Sequence, residues 1–218
     1  MSDSDLKIID MADVERIFSG RTPGILGSRR DYSVLVPLVR KDGELHLLFE
    51  VRSSNLKRQP GEVCFPGGRV EEHETTEECA VRETAEELGI EENDIKVIAE
   101  LDALHVYTNF SMYSFLGEID YDKVMSAKIN HKEVASIFCV PLAEFISNEP
   151  YIYKMEIAPD IGDDFPYHMI NSSNGYNWGK GVSEVPIYRF QGETIWGLTA
   201  RICHNLANIL RENSHDIF

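Results

Sequence analysis

Three glutamates, Glu83, Glu86 and Glu87, stand within the short stretch VRETAEEL (81–88). At about 100° per residue they fall inside an arc of about 100° on a helical wheel, with Val81, Ala85 and Leu88 opposite. On this wheel one face is oily and the other acidic, and Glu86 and Glu87 both point away from a core. The simplest reading of an acidic helix face is that it is solvated. Two features argue for more. Carboxylates at i, i+3 and i+4 repel one another by a few tenths of a kcal/mol per pair, and the wheel shows no i+4 lysine or arginine to relieve them. The segment FPGG (65–68) also precedes them, a glycine turn that brings bare backbone close to the acidic face. Carboxylate oxygens with a backbone carbonyl are the ligand set of a hard divalent cation. Mg²⁺ or Mn²⁺ is therefore expected to neutralise the cluster, and it would give an acidic protein a hold on phosphate.

The elements that must position these groups are legible around them. Thr75 with Glu78 three residues later forms a capping-box pattern, which starts a helix near Thr76. Gly89 can adopt the left-handed conformation that ends it after Leu88, with Ile90 packing back. Upstream, YSVLVPLV (32–39) and ELHLLFEVR (44–52) read as strands joined by a turn containing Asp42-Gly43. A polar loop, SSNLKRQPGE, follows, and VCFPGG reads as a short strand that stops at Pro66 and the two glycines. Downstream, DIKVIAELDALHVY and FSMYSFLGEI read as strands, ASIFCVPLAEFI as a strand running into a helix, and YIYKMEIA and YHMI as further strands. NSSNGYNWGKG is a loop, and Trp196, Thr199, Ile202, Cys203, Leu206, Ile209 and Leu210 recur at helical spacing. At the start, Met11, Val14, Ile17 and Phe18 mark a short amphipathic helix, followed by a glycine-rich loop with Arg21, Arg29 and Arg30. The sum is a mixed α/β or α+β domain whose sheet is flanked by at least two helices. The chain divides into an N-terminal helix and loop (1–31) and a main domain (32–218) that together form one globular unit.

Composition narrows the function. A formal net charge of -16 over 218 residues excludes a general nucleic-acid binder or a basic membrane-surface protein, because both need a cationic face. The four cysteines (Cys64, Cys79, Cys139, Cys203) form no C-x-x-C pair and suggest neither a zinc site nor a disulfide framework. The acidic, polar start and the lack of a long apolar run point to a cytoplasmic protein with no membrane span. N-x-S matches at Asn109 and Asn171 carry no meaning in such a setting.

The spacing Gly68, five residues, Glu74, seven residues, Arg82-Glu83, two residues, Glu86-Glu87, one residue, Gly89-Ile90 resembles the Nudix box, the signature of hydrolases that cleave nucleoside diphosphates linked to another group. The one departure is Thr84, where an aliphatic residue is usual. The stretch LLFEVRSSNLKRQPGEVCFPGG (47–68) is similar to the motif preceding the box in the coenzyme A pyrophosphatase branch, through Leu48, Arg52, Ser53, Gly61 and Phe65-Pro66-Gly67-Gly68. It departs at Phe49, Glu50 and Lys57, where that branch carries arginine. IWGLTARI (195–202) and EVASIFCVPL (133–142) also resemble family elements, so the likeness covers about 32 to 210. It implies the α+β Nudix fold, an α/β/α sandwich with a mixed sheet flanked by helices. It places Glu83, Glu86 and Glu87 at Mg²⁺ or Mn²⁺, with the Gly68 carbonyl as a further ligand and one glutamate as proton acceptor. Arg82 would pair with Glu74 to orient these carboxylates.

The implied activity is cleavage of coenzyme A or acyl-coenzyme A to 3′,5′-ADP and (acyl)phosphopantetheine, with Arg52, Lys57, Arg58, Phe65 and Gly67 as substrate-binding candidates. ADP-ribose, NADH or a dinucleotide polyphosphate is the alternative substrate, and a non-catalytic nucleotide sensor the alternative class. A homodimer is compatible with the chain; nucleic acid and membrane partners are not expected. Arg29 and Arg30 read as solvated loop charges, Glu133 as a polar strand start with a further carboxylate ligand as its alternative, and Phe65 also as core. His105, His131 and His168 read as structural, Tyr176 and Trp178 as loop packing, and Trp196 as helix core.

Overall fold

The computed structural model describes residues 10–21, 23–28, 30–170, 172 and 175–213; Arg29 and Asn171 lie outside them. Strands β1 (Asp31–Lys41) and β2 (Glu44–Arg52) form the expected hairpin, in register from Leu38↔Leu47 to Lys41↔Glu44. Its turn residues Asp42 and Gly43 have φ of 53° and 85°, the paired positive values of a tight hairpin turn. Beyond Leu38 the two strands part. The N-terminal half of β1 instead takes β4 (Gly67–Arg69), antiparallel, with Ser33 opposite Gly68 and Val34 opposite Gly67. The glycines therefore do not end the strand begun at β3 (Val63–Cys64), as the sequence suggests. After Pro66 the chain re-enters the sheet on a different neighbour.

On its other edge β1 pairs in parallel with β7 (Phe110–Ile119), which also holds β5 (Ile95–Glu100) and β6 (Leu104–Val106) antiparallel. The run expected as one strand from Asp94 is thus two, separated at Leu101–Ala103. Strand β8 (Val134–Pro141) pairs with β2 and runs into helix α4 (Leu142–Ser147). A three-stranded antiparallel sheet of β9 (Tyr151–Ile157), β10 (Gly181–Phe190) and β11 (Glu193–Trp196) stands apart. Of these, β10 and β11 carry no strand reading in the sequence. YHMI forms a 3-10 turn, Tyr167–Ile170, rather than a strand. Helix α1 (Met11–Phe18) forms as expected with Asp10 as its cap, and buries none of its residues. Helix α3 (Tyr121–Ser126) is short and capped by Asp120.

The sheet is covered on both faces. Strand alternation sends Leu35, Val39 and Leu48 toward helix α2 (Thr76–Leu88), where they meet Ala80 and Leu88. It sends Val34, Val36, Leu47 and Phe49 toward α5 (Gly197–Asn213), where they meet Ala200, Cys203 and Leu206. This is the α+β, α/β/α arrangement expected. Phe49 is fully buried between Phe65 at 4.8 Å and Phe138 at 5.5 Å between ring centroids; burying one such ring contributes about 1.5–3 kcal/mol. Trp196 is not helix core. It ends β11 and stays 45% exposed. No helix among the described residues is long and apolar enough to cross a membrane.

Candidate active site

Helix α2 has the ends its sequence dictates. Thr75 accepts the backbone N–H of Glu78 at 3.1 Å while the Glu78 carboxylate accepts that of Thr75 at 2.7 Å. Gly89 closes the helix at φ 70°, and Ile90 N–H donates back to the Ala85 carbonyl. An added Cβ on Gly89 would meet the Lys128 carbonyl at 2.2 Å, so the turn also needs glycine for space. Thr84 sits fully buried and donates its hydroxyl to the Ala80 carbonyl at 2.6 Å, which satisfies the polar atom that replaces an aliphatic side chain.

The acidic arc is not uniformly solvated. Glu86 is 60% exposed and Glu83 19%, but Glu87 is only 3% exposed, which corrects the wheel. It points beneath the sheet edge and accepts the backbone N–H of Gly67 at 2.9 Å. The wheel misleads about Arg82 too. Its guanidinium donates to both oxygens of Glu74 at 3.0 Å, and its other arm reaches Glu83 at 3.1 Å and its i+4 neighbour Glu86 at 3.6 Å. Arg82 thus spans the acidic face and fixes it, holding the Glu74 carboxyl down to about 2, while these partners push its own guanidinium upward.

The glycines set how near backbone and helix come. A Cβ built on Gly68 would fall 2.2–2.7 Å from the Glu83 carboxylate, and one on Gly67 would strike the Ser33 carbonyl at 2.3 Å. Bare backbone therefore lies against Glu83 and Glu87, as the spacing of FPGG and the box suggests.

Glu50, in the sequence only a departure from the upstream motif, is a site residue that the sequence reading misses. It is 1% exposed, and its Oε2 has no hydrogen-bond partner. Oε1 accepts from the Cys64 thiol at 3.2 Å. The signal was present in the alternation of β2: Glu50 shares the face of Leu48, the face covered by α2. Burial, outweighing the Cys64 hydrogen bond and nearby Arg52, raises the Glu50 carboxyl to about 7, and neighbouring Glu133 and Glu83 add to the rise. Burial and then the charge of Glu50 raise Glu87 to about 9. Burial likewise raises Glu83, against the pull of Arg82. Glu133, just before β8 as its strand-start reading has it, thus lies in the same electrostatic neighbourhood. Its carbonyl accepts the Ser53 N–H at 2.7 Å, and its own N–H donates to Asn130, whose N–H in turn bonds the Glu87 carbonyl at the end of α2.

Among the described residues no trio of His, Cys, Asp and Glu side chains already converges on one metal position. The donor set nonetheless fits a hard cation. Several carboxylates crowd together with too little positive charge, and a buried carboxylate oxygen is left unpaired at their centre, an arrangement whose cost a divalent ion removes.

A cleft of about 620 Å³ opens over Gly67 and Gly68 and is bordered by Arg30, Tyr32, Arg52, Arg58, Phe65 and Asn109. Arg52 Nε is buried without a hydrogen-bond partner. Arg30, read as a solvated charge, stands on this wall, while Lys57 is exposed and borders no part of it. Phe65 is both core, 3% exposed, and cleft wall. Tyr176 and Trp178 pack with each other and with Phe165 and Tyr167 in a loop cluster.

The NUDIX domain model matches residues 29–156. The chain is 38% identical over 189 residues to peroxisomal coenzyme A diphosphatase NUDT7 of Mus musculus, covering 86% of this chain and 73% of that protein. It is 29% identical over 195 residues to Nudix hydrolase 3 of Caenorhabditis elegans, covering 85% and 76%. It is 34% identical over 150 residues to peroxisomal coenzyme A diphosphatase ndx-8 of the same organism, covering 66% and 59%. The chain belongs to the Nudix family and is a hydrolase of diphosphate bonds.

Proposed function

We propose that this protein hydrolyses coenzyme A or its thioesters, with Mg²⁺ or Mn²⁺, to 3′,5′-ADP and phosphopantetheine or its acyl form. The observation that carries the reading is the meeting of two groups across one turn. The carboxylates of Glu50, Glu83 and Glu87 gather behind Gly67-Gly68, and Arg30, Arg52 and Arg58 line the cleft in front of it. A diphosphate bridging the turn would meet a carboxylate-bound cation on one side and guanidinium groups on the other. The likeness to two proteins named coenzyme A diphosphatases supports the same substrate.

In this reading Glu86 and Glu87 hold the cation, with the Gly68 carbonyl as a further ligand and Glu50 and Glu133 completing the acidic shell. A bound divalent ion supplies charge screening on the diphosphate and a more acidic water. Glu83, whose carboxylate lies against Gly68, accepts the proton of the attacking water. Arg82 keeps Glu83 and Glu86 aimed by its bidentate grip on Glu74, a positioning role. Arg52 and Arg58 bind phosphate oxygens, the planar guanidinium matching two oxygens at once. Tyr32 and Phe110, edge-to-face at 5.4 Å, wall the side on which a base can stack.

The test is a substrate panel. Coenzyme A, acetyl-coenzyme A, NADH, ADP-ribose and diadenosine polyphosphates are incubated with Mg²⁺ or Mn²⁺ and the products separated by chromatography. Fastest release of 3′,5′-ADP from a coenzyme A supports the reading; AMP from the other compounds alone replaces its substrate.

A further inference from the structure

Strand β9 is the outer strand of the small sheet: in the order β11-β10-β9 it pairs with β10 alone among the described residues. Its other edge offers a row of backbone N–H and C=O groups to any strand that can align with it. Tyr151, Tyr153, Lys154 and Glu156 are exposed, and Ile152, Met155 and Ile157 are half-buried. Such an edge is ordinarily blunted by a proline, a bulge or a repelling charge. In YIYKMEI there is no proline, and the pairing with β10 runs without a register shift. Its two charges, Lys154 and Glu156, are opposite in sign and separated by Met155.

The ladder to β10 fixes the faces. Tyr151↔Ile187, Tyr153↔Val185 and Met155↔Ser183 share one face, with Trp196 opposite Ile187. Lys154↔Glu184 lies on the other face, as does Glu156. There Lys154 meets Glu184 at 3.5 Å and Glu156 meets Lys180 at 2.6 Å. A second copy laid antiparallel along β9 about a twofold axis keeps like faces together, so the axis must pass beside one residue and its own copy. With Lys154 on the axis, lysine faces lysine; with Glu156, glutamate faces glutamate. With Tyr153 on the axis, Lys154 falls opposite Ile152 and neither charge finds a partner. With Met155 on the axis, each Lys154 lies opposite the partner's Glu156, and each Tyr153 opposite the partner's Ile157 on the apolar face. The charged row then alternates in sign through Glu184, Lys154 and the partner's Glu156, the arrangement that favours cross-strand pairing. Pro159 lacks an N–H and ends the ladder beyond Ile157.

We propose that β9 is a self-complementary edge through which two copies of this chain join antiparallel about Met155, merging their three-stranded sheets into one. The contact needs neither metal nor substrate. Strands β10 and β11, which hold β9 out from the main sheet, lie beyond residue 156, where the family match ends. Met155 also borders a cavity of about 450 Å³ that shares Arg52 and Phe65 with the cleft over Gly67 and Gly68, so the joined edges stand next to the candidate active site. A ladder from Tyr153 to Ile157 is a small contact, and a Kd on the order of 10 µM is expected.

Sedimentation equilibrium from about 1 to about 100 µM follows the monomer–dimer balance of wild type, Lys154→Glu, Glu156→Lys and the double variant, with melting curves to show that each is folded. Either single reversal sets like charges opposite each other on both sides of the axis and should raise Kd about tenfold or more. The double variant restores opposite charges between copies, although it sets like charges against Glu184 and Lys180 within each, and should return Kd to within about threefold of wild type. An equimolar mixture of the two single variants should form the dimer that neither forms alone.

Cross-linking reads the register. Under a disulfide-forming oxidant Met155→Cys should link two copies, because the axis brings its two Cβ atoms together. Tyr153→Cys should not, because it faces Ile157 instead. A wild type that stays monomeric over the range, a dimer whose Kd neither single reversal changes, or cross-linking in Tyr153→Cys as fast as in Met155→Cys overturns the inference.

Discussion

Glu87 Oε2 accepts the backbone N–H of Gly67 at 2.9 Å across 20 residues of sequence, with the side chain 3% exposed and the buried, partly unpaired carboxyl of Glu50 beside it. A glutamine at 87 keeps an acceptor for Gly67 and is neutral in both folded and unfolded chains, so the cost of protonating Glu87 as it is buried disappears. Glu87→Gln is therefore expected to raise metal-free stability at pH 8 by about 2 kcal/mol and to lower kcat by about 100-fold or more. Thermal melting in EDTA and steady-state turnover measure the two effects; a less stable variant that keeps full turnover would reject this account of the pair.

The same pair sets a pH dependence. Glu50 and Glu87 are raised in the folded protein from 4.5 to about 7 and about 9, so between pH 4.5 and 9 the folded state binds more protons than the unfolded state. Their contribution is fully present below pH 4.5 and is lost as pH rises through 7 to 9. Melting temperature in EDTA should fall over this window, and the increase on adding Mn²⁺ should grow with pH as the ion takes the place of the protons.

Gly67 and Gly68 should fail differently when given a methyl group. At Gly68 the new atom meets the Glu83 carboxylate, the free end of a side chain, so Gly68→Ala is expected to retain its fold and lose about 100-fold in kcat through a displaced Glu83. At Gly67 it meets the backbone of Ser33 and Val34, with φ at 153°, so Gly67→Ala is expected to lose about 1–3 kcal/mol of stability. Chemical denaturation of the two variants side by side separates these outcomes.

The fold and the site were legible in the sequence to the extent that they depend on local rules. The capping box of Thr75 and Glu78, the Gly89 stop and the Asp42-Gly43 turn each follow from one residue's backbone preference, and each forms as read. What was not legible depends on partners distant in sequence. Glu87 looks solvated on a wheel because the wheel does not know that β4 leaves β3 and comes to lie over it. Glu50 looks like a motif mismatch until β2's neighbours show which face α2 covers. Strand β10 contains Pro186, and the turn Gln191-Gly192 separates it from β11, which weakens any strand pattern; pairing with β9 and packing on α5 decide them.

The cationic wall gives a contrast between adjacent residues. Arg58 borders the cleft and Lys57 does not. If Arg58 helps bind the 3′-phosphate, Arg58→Ala should lower kcat/KM for coenzyme A about tenfold more than for dephospho-coenzyme A, while Lys57→Ala should change the two substrates by similar small factors. Equal losses on both substrates in Arg58→Ala would remove that role.

If the carboxylates of α2 hold the divalent ion that drives diphosphate cleavage, Glu86 offers the cleanest test, because its side chain is 60% exposed and its replacement disturbs no packing. The measurement is release of 3′,5′-ADP from coenzyme A as a function of Mn²⁺ concentration, for wild type and Glu86→Gln, with melting curves to establish that both are folded. Release should require the metal in wild type and fall about 100-fold or more in the variant. Metal-independent release, or full turnover by folded Glu86→Gln, would contradict it.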